Sequence, residues 1–470
     1  MIKDYEMVIG LEVHVELKTR TKIFCGCKTD FGAEPNTQCC PVCMGMPGTL
    51  PVLNKKVVDY AIKAGLAANC RIATVSKQDR KNYFYPDLPK AYQISQYDLP
   101  LCENGYIDIE TPEGKKRIGI TRIHIEEDAG KLIHDPQMGT LIDCNRCGVP
   151  LIEIVSEPDI RSSAEARAYL EKLRAVILYT GVSDCKMNEG SLRCDVNLSV
   201  RKKGETAFGV RTEMKNLNSF AFIVKAIEYE YKRQVEAMES GEGVIQETRR
   251  FDPDSGQTYS MRRKENANDY RYFPDPDLPP IENSAEYIEG LKSEIPVLPD
   301  VRKAEYIREY GLNSYDAERL INDLSLAQFF EEAVKLTQYP KQLANMLVSD
   351  APQGERMVSP RNLAALCELA GQERINSSTA KKLLKEIWET DGEPEKIVCQ
   401  RGLEQINDRA ALESIARGVM AVEERMVSDY RQGKKAAAKA VIGKVMAATG
   451  GRGNPLAVNE IVYRLLDGEA

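Results

Sequence analysis

Residues 11–17, LEVHVEL, read as an extended strand with a period of two. Leu11, Val13, Val15 and Leu17 then share one face, and Glu12, His14 and Glu16 the other. The apolar face calls for a core to cover it. What the second face does depends on how many other segments share its design, and several do. In PLIEIV (150–155) Glu153 sits between Ile152 and Ile154. Asp195 and Asn197 alternate with Cys194, Val196 and Leu198, while Arg211, Glu213 and Lys215 alternate with Thr212 and Met214. HIEEDAGK (124–131) places Glu126, Glu127 and Asp128 at a strand end, where alternation alone does not choose between Glu126 and Glu127. Taken singly, each of these is most simply a solvated strand face. Carboxylates and an imidazole converging from several strands suit a hard divalent cation, Mg²⁺ or Mn²⁺, that keeps positions open for phosphate. Glu16, further along the first strand, reads as structural or solvent-facing.

Working outward, the first ~290 residues contain mainly short alternating strands, among them 106–110, 117–126, 151–155, 194–200 and 211–216. Two long helical stretches interrupt them, one following a cap at Ser163 and one ending at Gly241. Strand runs without strict strand–helix alternation predict an α+β fold built on a large, mainly antiparallel sheet. YFPDPDLPP (272–280) breaks regular structure, and IPVLPD (295–300) follows. Beyond them DAERLINDLSLAQFFEEAVKL and SSTAKKLLKEIWETDG read as capped amphipathic helices. The expected organisation is a cradle domain over 1–294, a helical domain over 295–405 and a small helical tail domain over 406–470. The tail carries Arg431, Lys434, Lys435, Lys439, Lys444 and Arg452 with no intervening acid, then an apolar stripe of Val458, Ile461, Val462, Leu465 and Leu466.

A net charge of −7 argues against coating nucleic acid by bulk electrostatics, although it permits a local basic patch. No apolar run reaches the ~18 residues of a membrane span, and MIKDYEMVIG shows no export signal, so a cytoplasmic protein without a membrane partner is expected. The thirteen cysteines cluster rather than spread. In FCGCKTDFGAEPNTQCCPVCMG (24–45), Cys25 and Cys27 form one pair and Cys40 and Cys43 another, the pattern of a closed, structural Zn²⁺ site; Cys39 is an alternative ligand to Cys40. Cys144 and Cys147 lack a partner pair and read as free thiols. The stretch 79–98 reads as a loop whose Lys81, Tyr83, Tyr85 and Lys90 could stack a base and meet phosphate. An ordinary rigid surface loop explains the same residues equally well. Arg193 and Lys215 join these four as candidate cofactor-binding residues. Neither a Walker A motif nor a dinucleotide fingerprint is present, so any ATP site is of an unusual class.

VIGLEVHVELKT, FGAEPN, CPVCMGMPGTLPVLN, DRKNYFYPDLPKAYQISQ, HIEEDAGK, NRCGVPLIEIVSEPDIR, GSLRCDVNLSV, RTEMKNLNSF and DYRYFPDPDLPP, in this order, resemble the B subunits of the bacterial aspartyl/glutamyl-tRNA amidotransferases. The resemblance implies an ATP-dependent enzyme that phosphorylates the side-chain carboxylate of Glu-tRNA(Gln) or Asp-tRNA(Asn) and amidates it. The ammonia would come from the amidase, or A, subunit, with the small C subunit completing the complex. It implies a Mg²⁺ and kinase site at Glu12, His14, Glu127 (preferred to Glu126) and Glu153, with Asp195 as a further ligand. His14, Glu127 and Glu153 are the expected catalytic residues. It also implies structural zinc at Cys25, Cys27, Cys40 and Cys43, and a basic tail that grips the outer body of the tRNA.

Overall fold

The computed structural model describes residues 4–263, 269–352 and 354–468. Two compact units divide the chain, Met1–Leu298 and Pro299–Ala470. The first is organised by a nine-stranded sheet. Its strands run, edge to edge, Gln257–Arg263, Glu247–Asp252, Thr212–Lys215, Leu192–Lys202, Tyr5–Glu16, Pro150–Ser156, Gly114–Glu127, Cys102–Thr111 and Arg71–Ile72. Every neighbouring pair is antiparallel except Thr212–Lys215 with Glu247–Asp252. The expected α+β class is the observed one. The strand segments read from alternation coincide with observed strands.

The LEVHVEL strand is central because both its edges are paired and one face is wholly apolar. Leu11, Val13 and Val15 are buried in a core shared with Ile123, Ile125, Ile152, Ile154, Val196 and Leu198. Helices Lys55–Ala67, Ser163–Thr180 and Phe220–Glu239 supply the other side of that core through Val57, Ile62, Tyr169, Leu173, Ile223 and Ile227. Side chains of successive strand residues point to opposite faces, so the residues between these apolar positions are turned away from that core.

Local readings need three adjustments. The second helix is capped by Ser162, whose hydroxyl accepts from the Glu165 amide, rather than by Ser163. The stretch 79–98 is not a plain loop: Asp79–Asn82 and Tyr92–Ser95 pair with each other, and Asp79–Asn82 also pairs with Phe273–Pro274, in a small sheet. DAERLINDLSLAQFFEEAVKL holds parts of two helices, Ser314–Ile321 and Leu324–Val334, because Asp323 leaves the helix to accept from the Ser325 and Leu326 amides. The second unit is helical throughout its named elements and contains two separate apolar clusters, one from Tyr306 to Val398 and one from Leu412 to Leu466. Val458, Ile461, Val462, Leu465 and Leu466 line the inner side of the last helix.

Candidate active site

Strand register assembles the site. His14 lies opposite Glu153, and Glu153 opposite His124, across three adjacent strands. Glu126, two residues along from His124, shares their face. His14 Nε2 is 3.5 Å from both Glu126 Oε1 and Glu153 Oε2, and His124 Nε2 is 3.5 Å from Glu126 Oε2 and 3.4 Å from Glu153 Oε2. Ligand atoms of His14, Glu126 and Glu153 all lie within 4.8 Å of one another. Burial opposes charge on the His14 ring, but Glu153 and then Glu126 overcome it and push its pKa up to about 9. Burial likewise opposes charge on Glu153, yet His124 and His14 hold it well below the usual carboxylate range. Two acids held in their charged form thus stand beside two imidazoles at this point.

A second group forms beside the first. Glu12 faces Asp195 across the next strand pair, and Glu213 completes a set again within 4.8 Å. Burial, then Glu153, Asp195 and Glu213, raise the Glu12 pKa. Asn197 Nδ2 donates to Glu12 Oε1 at 2.9 Å, and Lys215 Nζ bridges Asp195 Oδ2 at 2.6 Å and Glu213 Oε1 at 3.2 Å. Clustered oxygens with an open cavity beside them are the donor set of a hard cation such as Mg²⁺.

The single expected set of Glu12, His14, Glu127, Glu153 and Asp195 is therefore divided into two groups, and the preference for Glu127 is reversed. Glu127 is one residue past Glu126 and points to the opposite face. Its Oε1 accepts from Lys90 Nζ and, at 2.8 Å, from the Ile94 amide. Glu126, Glu213 and His124 are the residues sequence reasoning left out of the set. All three stand in motifs the sequence displays, HIEEDAGK and RTEMKNLNSF, but only the strand register brings them to the other residues. Glu16 also lines the cavity, where burial followed by the Asp128 charge pushes its pKa up to about 8.

Both groups border a cavity of about 1010 Å³ whose lining includes His14, Glu16, Lys81, Tyr83, Glu126, Asp128, Arg193, Asp195 and Lys215. Arg193 donates to Asp128 Oδ2 at 2.6 Å. Among the described residues lining the cavity, Tyr85 and Lys90 do not occur. Tyr85 is exposed, and Lys90 is committed to Glu127.

Cys25, Cys27, Cys40 and Cys43 form a third group, their sulfurs within 4.8 Å of one another. Zn–S bonds of about 2.3 Å in a tetrahedron require sulfurs roughly 3.8 Å apart, so small adjustments suffice. Cys39 turns away and bonds the Asn36 carbonyl at 3.2 Å, which leaves Cys40 as the member of the group. A hydrogen bond from Cys25 lowers the Cys43 pKa to about 4, with the Cys40 amide and the buried Lys22 ammonium, 3.6 Å from the sulfur, assisting. Cys144 and Cys147 are buried free thiols.

Comparison with known proteins identifies the family of the chain. Residues 7–289 match the GatB/GatE catalytic domain, and residues 328–466 match the GatB domain. The aspartyl/glutamyl-tRNA(Asn/Gln) amidotransferase B subunit of Caldicellulosiruptor saccharolyticus is 58% identical over 99% of both chains. The proteins of the same name from Carboxydothermus hydrogenoformans, over 98% of both chains, and Geobacter sulfurreducens, over 99% of this chain and 100% of that one, are each 52% identical. Matched in both domains and over nearly its whole length, the chain belongs to the family of aspartyl/glutamyl-tRNA(Asn/Gln) amidotransferase B subunits.

Proposed function

We propose that the chain is the synthetic subunit of a tRNA-dependent amidotransferase, a glutamine-hydrolysing carbon–nitrogen ligase. The observation that carries this reading is the pairing of two carboxylate groups beside one cavity that also presents Lys81, Arg193 and Lys215. The side-chain carboxylate of Glu-tRNA(Gln) or Asp-tRNA(Asn) attacks the γ-phosphorus of ATP and releases ADP. Ammonia then attacks the acyl carbon, phosphate leaves, a proton is lost, and Gln-tRNA(Gln) or Asn-tRNA(Asn) results. The first step is needed because a carboxylate is a poor electrophile, and phosphorylation gives it a leaving group.

His14, Glu126 and Glu153 would hold one Mg²⁺ or Mn²⁺, and Glu12, Asp195 and Glu213 a second. Such cations neutralise phosphate charge during phosphoryl transfer. His124, 2% exposed behind Glu126 and Glu153, orients both carboxylates. Lys81, Arg193 and Lys215 are placed to meet anionic oxygens, Tyr83 to pack against the substrate. Four cysteine thiolates close around a structural Zn²⁺, leaving it no open position for chemistry. Residues 1–294 carry the chemistry and 295–405 form a helical domain. The basic tail, 406–470, grips the tRNA body. Ammonia comes from the amidase, or A, subunit, within a complex that also contains the small C subunit. No helix among the described residues is long and apolar enough to cross a membrane.

The test is to supply the assembled complex with Glu-tRNA(Gln), ATP, Mg²⁺ and ammonium and to follow Gln-tRNA. Product that depends on ATP and disappears when Glu126→Gln and His14→Ala are combined supports the reading. Product formed without ATP, or undiminished in the double variant, refutes it.

A further inference from the structure

One part of the cavity lining sets two exposed apolar side chains among charged neighbours that include Asp30 and Lys131. It is made by two segments far apart in sequence. One is the loop between the two cysteine pairs, which contributes Phe31, and the other is the hairpin Lys131–Asp135 with Gly139–Asp143, which contributes Ile133. Phe31 is 72% exposed and Ile133 36% exposed, although both line the same cavity as His14 and Glu126. Neither is held there by burial, so the fold gains little from either side chain.

The backbone beneath them is, by contrast, closely fixed. Asn36 donates from its amide to Asp143 Oδ1 at 3.0 Å and from Nδ2 to the Ile142 carbonyl at 3.0 Å, and it accepts from the Cys144 amide at 2.7 Å. Asn145 Nδ2 donates to the Glu34 carbonyl at 2.7 Å, and Thr29 Oγ1 to the Thr19 carbonyl at 2.6 Å. These bonds tie the cysteine loop to the hairpin on one side and to the end of the first strand on the other. An exposed ring on a fixed backbone is pre-organised for a flat apolar partner, because little conformational freedom remains to be lost on binding.

We propose that Phe31, with Ile133 in the same lining, is a stacking platform for an adenine ring in this cavity. The inference rests on the amidotransferase reading, since both substrates of that reaction present adenosine: ATP itself and the 3′ end of the tRNA. It goes further in giving the cysteine-bounded loop a direct part in binding. The cations and carboxylates of the cavity match phosphate and metal, and a heteroaromatic base is the portion of either substrate that they leave unmatched. Asn188, also in the lining, offers an amide group to the polar edge of such a base.

The test uses the whole complex carrying Phe31→Ala, Phe31→Tyr or Ile133→Ser. Binding of ATP is compared with binding of inorganic tripolyphosphate, which has the phosphates without the base. Binding of intact tRNA is compared with binding of tRNA shortened by its terminal adenosine. If the platform holds the ATP base, Phe31→Ala weakens ATP about tenfold or more and leaves tripolyphosphate unchanged. If it holds the tRNA end, the loss falls on intact tRNA alone. Either outcome supports the proposal when Phe31→Tyr restores binding to within about twofold and kcat moves little. Unchanged binding of both substrates overturns it. So does equal loss of ATP and tripolyphosphate, or failure of Phe31→Ala to assemble with its partner subunits, which would make the ring an assembly contact. Absence of ATP-dependent amidation in the unsubstituted complex would instead remove the underlying reading.

Discussion

The cysteine group and the carboxylate groups would meet one requirement, a cation held by protein, in opposite ways. The four cysteines span 25–43, so two tight turns bring them together whatever the rest of the sheet does. The acids and histidines of the other groups come from 12 to 213, and only the pairing of strands unites them. A local site survives small errors in the fold around it. A site made by register does not, since a one-residue slip turns every ligand to the other face.

The comparison is tested most severely by neighbouring acids on one strand. Glu126→Gln should lower kcat for amidation by about 10³-fold, as loss of a metal ligand in phosphoryl transfer does. Glu127→Gln, which loosens Lys90 and the Ile94 amide instead, should cost roughly tenfold or less. Rate measurements on both variants that gave the reverse order would overturn the division between the two faces.

Cys43→Ser should reduce bound zinc from about one per chain to well below that, measured by elemental analysis of reduced protein. Catalysis should fall less than in Glu126→Gln, because the loop loses its clasp while the carboxylates keep their register. A smaller effect is expected at the far side of the sheet. Glu230, fully buried, accepts from Thr212, Arg233, Gln234 and Thr258 and so binds helix Phe220–Glu239 to the strands beside it. Burial opposes its charge, but Arg233 and Gln234 lower its pKa. A depressed folded-state pKa contributes stability above the unfolded carboxylate value, lost as pH falls through the folded one. Glu230→Gln should therefore cost about 3 kcal/mol near neutral pH and make unfolding less steep in acid, as denaturant titrations at several pH values would show. Smallest of all, Lys439→Ala should weaken tRNA binding slightly and reduce the slope of log K against log salt by about 1.

How much of this was legible in the sequence follows the same division. The cysteine site could be read from spacing alone, down to the choice between Cys39 and Cys40, which needed the bond from Cys39 to Asn36. The α+β sheet was legible because alternation in LEVHVEL and CDVNLSV is strict and several other short segments share it. The acids on those strands were legible as a face but not as groups. Nothing in the sequence says that His14 stands opposite Glu153, or that Glu213 reaches Asp195 from a neighbouring strand. Which of Glu126 and Glu127 lies beside His14 was not legible for the same reason: the strand runs to Glu127, and its phase is set by pairing with Pro150–Ser156. Tyr85 and Lys90 were drawn in by composition, yet the short pairing of Asp79–Asn82 with Tyr92–Ser95 turns Lys90 toward Glu127 instead.

The central claim is that strand register builds two cation sites side by side. Mn²⁺ titration followed by electron paramagnetic resonance tests it most directly. The unsubstituted protein should bind two ions per chain with a magnetic interaction between them. Glu126→Gln should remove one and Glu213→Gln the other, each leaving a single isolated ion. One ion in the unsubstituted protein, or two retained in either variant, would contradict the account.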